Sequence, residues 1–377
     1  MSMQDIKQDF EQLKEMQIPV KRAAFSDRTA WIMAILAELS YAEFDEEKER
    51  FFPRLAEELA KLTNQKEIEE RLRDLREKLA DLSRTPTGPK TKNKALKATL
   101  KAGGFELGGG RVIHNEASGT QGFVACRRDD SGTGMAVICF RGTQQIEDWL
   151  TNVRIKPVDI FYTNPEAKTK IAIGRMHGGF HDAYKSVEKE IEDRLKGFED
   201  LPLYITGHSL GGALAVVATW YQSSQKLAAC YTFGAPRVGD QGLIDWFKTP
   251  IYRIVNGPDP VTLVPPAQTT ISVLKVVVRV LGVVLPFWNW AGWVTKRLIK
   301  IQKFRHYGYM RYLTVVDAGS AGDYPDLKLE YGLSTWERLL RFIKLTLDDK
   351  VDRIDKYHGM HRYRAKLGAH AIRRNSR

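Results

Sequence analysis

The chain has 377 residues, 43% of them hydrophobic, enough for one large α/β domain with a smaller appendage and too many for an intrinsically disordered chain. Its formal net charge of +12 is local: eight Lys or Arg and no acid lie between Asp259 and Asp317, and seven more follow Asp355, again with no acid. These fifteen charges point to an anionic partner such as lipid headgroups; without zinc spacing, an RNA-binding signature or a helix-turn-helix, nucleic acid is not expected.

Cys126, Cys139 and Cys230 are too few and too scattered for a disulfide framework, which fits a reducing compartment. The stretch MSMQDIKQDFEQLKEM is polar and lacks the apolar core and cleavage site of a secretory signal. A cytoplasmic or membrane-peripheral location is expected, with non-classical export left open.

In FSDRTAWIMAILAELSYAEF, Ser26 or Asp27 can cap a strongly apolar helix that runs to about Tyr41. Residues Glu46 to Leu82 alternate charged and apolar groups at helical spacing, and SRTPTGPKTKNK reads as a linker. Residues 1–95 are therefore expected to form a helical region, a cap or a support. From about Gly109 the pattern changes to short β-branched runs, RVIHNEA, QGFVACRR and GMAVICFRGT. Later come PLYITGHS, LGGALAVVATWYQSS, LAACYTFGAPRVG and PIYRIVNGPDPVTLVPP. Buried strands alternating with helices predict an α/β fold with a mostly parallel central sheet over residues 96–377.

ITGHSLGG places Gly207-x-Ser209-x-Gly211 between a predicted strand and a predicted helix. Such a turn is too tight for much beyond glycine at its flanks. It holds Ser209 at the sheet edge, with the helix N-terminus beginning near Leu210 aimed at charge developing on a substrate. A serine nucleophile needs a base and an acid to orient that base. Asp259, in the loop after IYRIV, is the best acid; Asp240 and Asp245 read as solvated or capping residues. The histidines beyond Asp259 are His306, His358, His361 and His370.

Four motifs in this order, CFRGTQQIEDWLTNV, MHGGFHDAY, TGHSLGGALA and NGPDPVTLVPP, resemble those of the class 3, or fungal-type, lipases. The resemblance runs roughly from Phe25 to Leu367 and implies an α/β-hydrolase fold. It maps the oxyanion hole to Thr143 and the Leu210 amide, and the acid to Asp259. It maps the base to His358 in YHGMHRY, where Tyr357 stands in place of the family's frequent Asp, with His361 and His306 as the competing choices. His177 and His181 precede Ser209 and would break the chain order serine, acid, histidine; they read as lining or supporting the cleft. Residues 144–155 resemble the family's lid, with Ile146, Trp149, Leu150 and Val153 at helical spacing.

VLGVVLPFWNWAGWVTKRLIKIQK lies within an insert, residues 268–304, that the family's minimal pattern does not need. Its apolar run falls short of the about 20 residues of a membrane span. A single crossing would also put the acid and the base on opposite sides of a bilayer. Two readings remain. One is an extra buried helix pair. The favoured one is a lipid-contacting edge, with Trp288, Trp290 and Trp293 at headgroup depth and Lys296, Arg297, Lys300 and Lys303 facing phosphates.

The expected activity is hydrolysis of lipid carboxylic esters through a Ser209–His358–Asp259 triad at a membrane or lipid surface. It needs no metal or organic cofactor, and the oligomeric state is undetermined. A phospholipase A1-type enzyme or a small-ester carboxylesterase is the alternative within that class. Outside it stands a non-catalytic membrane- or partner-binding protein on the same fold.

Overall fold

The structure is a computed structural model that describes residues 3–14, 16, 24–41, 94–129, 132–142, 156–164, 166–224, 226–264, 304–319, 323–334, 337–338, 340–341 and 357–375. The expected lid with Trp149, the expected oxyanion residue Thr143, the charged helices expected after Glu46 and the tryptophan insert lie outside the described residues. Among the described residues no helix is long and apolar enough to cross a membrane.

The chain opens with helices α1 (Met3–Lys14), α2 (Asp27–Leu39) and α3 (Lys94–Ala102). Strands β1 (Glu106–Leu107), β2 (Ile113–Asn115), β3 (Thr120–Arg128), β4 (Gly134–Phe140), β5 (Pro157–Thr163) and β6 (Lys170–His177) follow. Next come α4 (Gly178–Lys185), α5 (Glu188–Leu195), β7 (Leu203–His208), α6 (Leu210–Tyr221), β8 (Leu227–Phe233), β9 (Gly239–Asp240), α7 (Gln241–Ile244) and β10 (Ile251–Asn256). After them lie β11 (Phe304–Arg305), β12 (Tyr309–Leu313), β13 (Leu329–Tyr331) and a C-terminal helix, α8 (Met360–Asn375).

The main sheet runs β1-β3-β4-β7-β8-β10-β12-β13, with β2 on β3. Its centre, β4-β7-β8-β10-β12, is parallel throughout, with Ile138 beside Ile205 and Ile254 beside Phe233. Its flanks are antiparallel, so the sheet is mixed and the expectation of a mostly parallel sheet holds for its centre. A smaller antiparallel sheet, β11-β9-β6-β5, stands beside it.

Side chains alternate across the central strands, giving two cores. One face presents Val137, Cys139, Tyr231, Phe233 and Ile254 to α1, α2, α3 and α8. The other presents Ala136, Ile138, Phe140, Ile205 and Cys230 to α4, α5 and α6. Helix α2 is apolar all round and buried along its length, as a helix enclosed by core must be. Ser26 caps it, accepting from the Thr29 amide at 3.3 Å. The thiol of Cys139 and the hydroxyl of Thr206 donate to its carbonyls at Leu36 and Met33.

Helix α8 lies against α2, and glycine permits the approach: a Cβ on Gly368 would stand 2.8 Å from the Trp31 ring. Arg364 on α8 clamps the pair, donating to Glu38 at 2.6 Å and also to Asp9 of α1. The N-terminal helices thus share the core beneath the parallel strands and fix α8, whose first turn adjoins His358.

Candidate active site

Every central strand points its C-terminal end toward one edge of the sheet, and the polar residues meet there. β7 is buried at all six positions and passes directly into α6 through Ser209. The serine backbone takes φ 57°, ψ −125°, one of two positive-φ non-glycine residues among those described. Strain of this kind persists only where the surroundings enforce it. Here the neighbours are glycines that nothing larger could replace: a Cβ on Gly207 would meet the Gly211 carbonyl at 2.2 Å, and one on Gly211 the Phe140 carbonyl at 2.3 Å. Leu210 opens α6, where backbone amides have no intrahelical acceptor.

Asp259 follows β10 and is completely buried. Its carboxylate accepts from the Val261 amide at 3.0 Å, from the Tyr363 hydroxyl at 2.5 Å and from His358 Nδ1 at 2.8 and 3.0 Å. Because a carboxylate only accepts, His358 carries its proton on Nδ1, leaving Nε2 with a free lone pair. Burial, followed by the Asp259 charge, pushes the Tyr363 hydroxyl well above its ordinary range, so it stays a donor. Gly234 leaves room for this pair: with φ +57°, its Cβ would stand 2.5 Å from Asp259 Oδ2 and 3.0 Å from the His358 ring.

His358 Nε2 and Ser209 Oγ are both buried without a hydrogen-bond partner, and no hydrogen bond joins them in this structure. Buried polar groups left without a partner are rare in a core unless they serve chemistry or a ligand, and the His358 ring stands 4.4 Å from that of His208, the residue before Ser209. Ser209 is 0% and His358 2% exposed.

Behind the serine, a chain of hydrogen bonds reaches the N-terminal helices. His208 Nε2 donates to the His358 carbonyl at 2.6 Å, which leaves Nδ1 to accept from the Tyr41 hydroxyl at 2.8 Å. Burial, then the neighbouring His358, holds His208 well below its usual pKa and so neutral, as this pattern requires. The same Tyr41 hydroxyl packs on Gly142, where a Cβ would lie 2.1 Å from it and 3.2 Å from Ser209 Cβ. Gly142 delivers the backbone to Thr143.

The other sequence candidates lie elsewhere. Asp240 caps α7 and accepts from the Arg175 amide at 2.9 Å, and Asp245 accepts from Gln241. His306 donates to the Thr262 carbonyl at 2.7 Å, and His361 is exposed on α8. His177 caps α4 and is lowered to about 4 by burial, while His181 pairs with Asp182. Sequence reading did not single out Tyr41, His208, Gly234 or Gly142. Tyr363 had a signal, the tyrosine that closes YHGMHRY.

Residues 137–269 match the family model described as lipase (class 3). A lipase of Rhizomucor miehei is 34% identical over 143 residues, covering 34% of this chain and 37% of that protein. The chloroplastic phospholipase A(1) DAD1 of Arabidopsis thaliana is 33% identical over 168 residues, 38% of each chain. Among solved structures, lipase II from Rhizopus niveus superposes with TM-score 0.43 at 18% identity, covering 71% of this chain and 86% of that one. The chain spans less than half the length of the curated relatives it matches. The stretch that matches the class 3 lipase model, residues 137–269, runs from within β4 through the serine turn to just past the Asp259 loop.

Proposed function

We propose that the chain hydrolyses lipid carboxylic esters by way of an acyl-enzyme. The observation that carries this reading is a buried Asp259–His358 pair packed on His208, the residue before the strained Ser209, with Ser209 Oγ and His358 Nε2 both left without a partner. Ser209 Oγ attacks the acyl carbonyl and passes its proton to His358 Nε2, while Asp259 stabilises the imidazolium through Nδ1–H. The Leu210 amide, with Thr143, receives the oxyanion. His358 then protonates the departing alcohol oxygen, and water, deprotonated by the same nitrogen, attacks the acyl-enzyme to release the acid and restore Ser209. The names of the matched relatives, a lipase and a phospholipase A(1), favour a glycerolipid ester as substrate.

Replacing Ser209 with Ala is the test. Turnover of a medium-chain p-nitrophenyl ester is lost while thermal unfolding is unchanged; retained turnover contradicts the reading. A panel of triacylglycerol and phospholipid substrates then separates the lipase from the phospholipase A1-type alternative.

The same proposal places the enzyme on anionic lipid surfaces, supported by Trp288, Trp290 and Trp293 followed by Lys296, Arg297, Lys300 and Lys303 in the sequence. Changing the three tryptophans to Ala lowers hydrolysis on anionic vesicles and spares a short soluble ester. Equal loss on both substrates would indicate damage to the core instead.

A further inference from the structure

The acid and the base of the proposed triad come from distant parts of the chain, and one buried side chain joins them. Asn256, 1% exposed, is the last residue of β10 and opens the turn to Asp259, whose amide donates to the Asn256 carbonyl at 3.3 Å. The side chain reaches the other way: its Nδ2 donates to the carbonyl of Tyr357, the residue before His358, at 2.9 Å. Lys366 on α8 donates to Asn256 Oδ1 and to the Thr314 carbonyl, each at 2.8 Å. An ammonium only donates and a carbonyl only accepts, so these two partners fix which way the amide faces.

The segment that carries His358 is thereby held at two consecutive carbonyls. Asn256 holds that of Tyr357 from β10, and His208 holds that of His358 from β7 at 2.6 Å. Between these anchors and Asp259, 2.8 Å from Nδ1, the imidazole has little room to turn. The backbone of Asn256 also hydrogen-bonds the Tyr363 hydroxyl, a further donor to the Asp259 carboxylate. Burying Lys366, 5% exposed, against two neutral oxygens costs stability that an apolar side chain would not. What the ammonium supplies is a donor that aims the Asn256 amide.

We infer that Asn256, aimed by Lys366, is a positioning residue that seats His358 against Asp259. It acts through the backbone on either side of the pair, not on the substrate. Its effect on rate rests on the proposed ester hydrolysis; the seating itself is observable without turnover.

The test uses the full chain and two readouts. One is the low-field proton NMR spectrum, where the His358 Nδ1–H on its carboxylate resonates apart from the amides and is assigned by its loss in His358→Gln. The other is turnover of a p-nitrophenyl ester. Asn256→Asp keeps the shape but, ionised beside Lys366, turns an acceptor toward the Tyr357 carbonyl. The resonance is expected to shift or broaden, and kcat to fall by about tenfold to a hundredfold at nearly constant KM. Asn256→Ser, too short to reach Tyr357, serves if the Asp variant does not fold. Lys366→Met is expected to lower kcat as well, and Lys366→Gln, which returns a donor to Oδ1, to recover part of that loss. A purely structural role would lower Tm without the split between kcat and KM and without recovery by Gln. A resonance lost in the variants of a wild type that turns over no ester would uphold the seating and remove the hydrolase reading instead. Absence of a His358 resonance in the wild type overturns the inference, as does an unchanged resonance, or an unchanged kcat against an active wild type, in folded Asn256 variants.

Discussion

Substituting Ala for Gly234 separates the proposed catalytic geometry from folding more cleanly than removal of a member of the proposed triad. The glycine is at φ +57°, and a Cβ there would sit 2.5 Å from Asp259 Oδ2 and 3.0 Å from His358 Nδ1 and Cε1. Carbon and oxygen rest at about 3.5 Å, so the carboxylate must retreat by about 1 Å, and the imidazole by about half that. The left-handed backbone adds about 1–2 kcal/mol of strain. A 1 Å misplacement of a catalytic group lowers rate by about 10²-fold. Gly234→Ala is therefore expected to lower kcat on a p-nitrophenyl ester by about 10²-fold with KM nearly unchanged, and to cost only a few degrees in Tm. Turnover within about threefold of wild type in a folded variant would refute the argument that Gly234 is needed to seat the Asp259–His358 pair.

Removing the Tyr41 hydroxyl with Phe leaves His208 Nδ1 buried without its donor, costing about 1–3 kcal/mol of stability. kcat is expected to fall about tenfold at constant KM, equivalent to about 1.4 kcal/mol, and steady-state kinetics would expose the error if kcat held. Arg364→Met strands Glu38 and Asp9 in the core, an expected loss of about 3–5 kcal/mol in urea unfolding. Adding Glu38→Gln should restore part of that loss; no recovery would mean that packing, not charge, sets the cost. Lys366, 5% exposed and donating to Asn256 Oδ1 and the Thr314 carbonyl, is held down to about 8 by burial. The unfolded lysine binds its proton up to its ordinary value of about 10.4, so its contribution to stability rises with pH between those values and is lost as pH falls through 8. Unfolding of wild type and Lys366→Met across that window should show the rise in wild type alone.

The turn that carries the proposed nucleophile was legible because its requirements are local. A strand, a glycine-flanked serine and a helix occupy one stretch of sequence, and β7 and α6 form on either side of Ser209 as expected. Asp259 and His358 were named by chain order and family resemblance, and the fold places them in contact across 99 positions. The supports were harder to see because they act over distance. Tyr41 reaches His208 across 167 residues and His208 reaches His358 across 150, so no pattern in either neighbourhood announces the pairing. The place of α2 had a signal in its uniformly apolar sequence, which marks an enclosed helix more than an outer cap. The antiparallel flanks escaped because short strands such as β1 and β13 carry too few residues to reveal their direction.

The central claim is that Ser209 is a nucleophile activated by His358. Fluorophosphonate labelling followed by mass spectrometry of the ITGHSLGG peptide reports on both halves of that claim at once. Phosphonylation of Ser209 with loss of fluoride, slowed strongly in His358→Gln, is the expected result. Labelling on another residue, or equal labelling in His358→Gln, would contradict it.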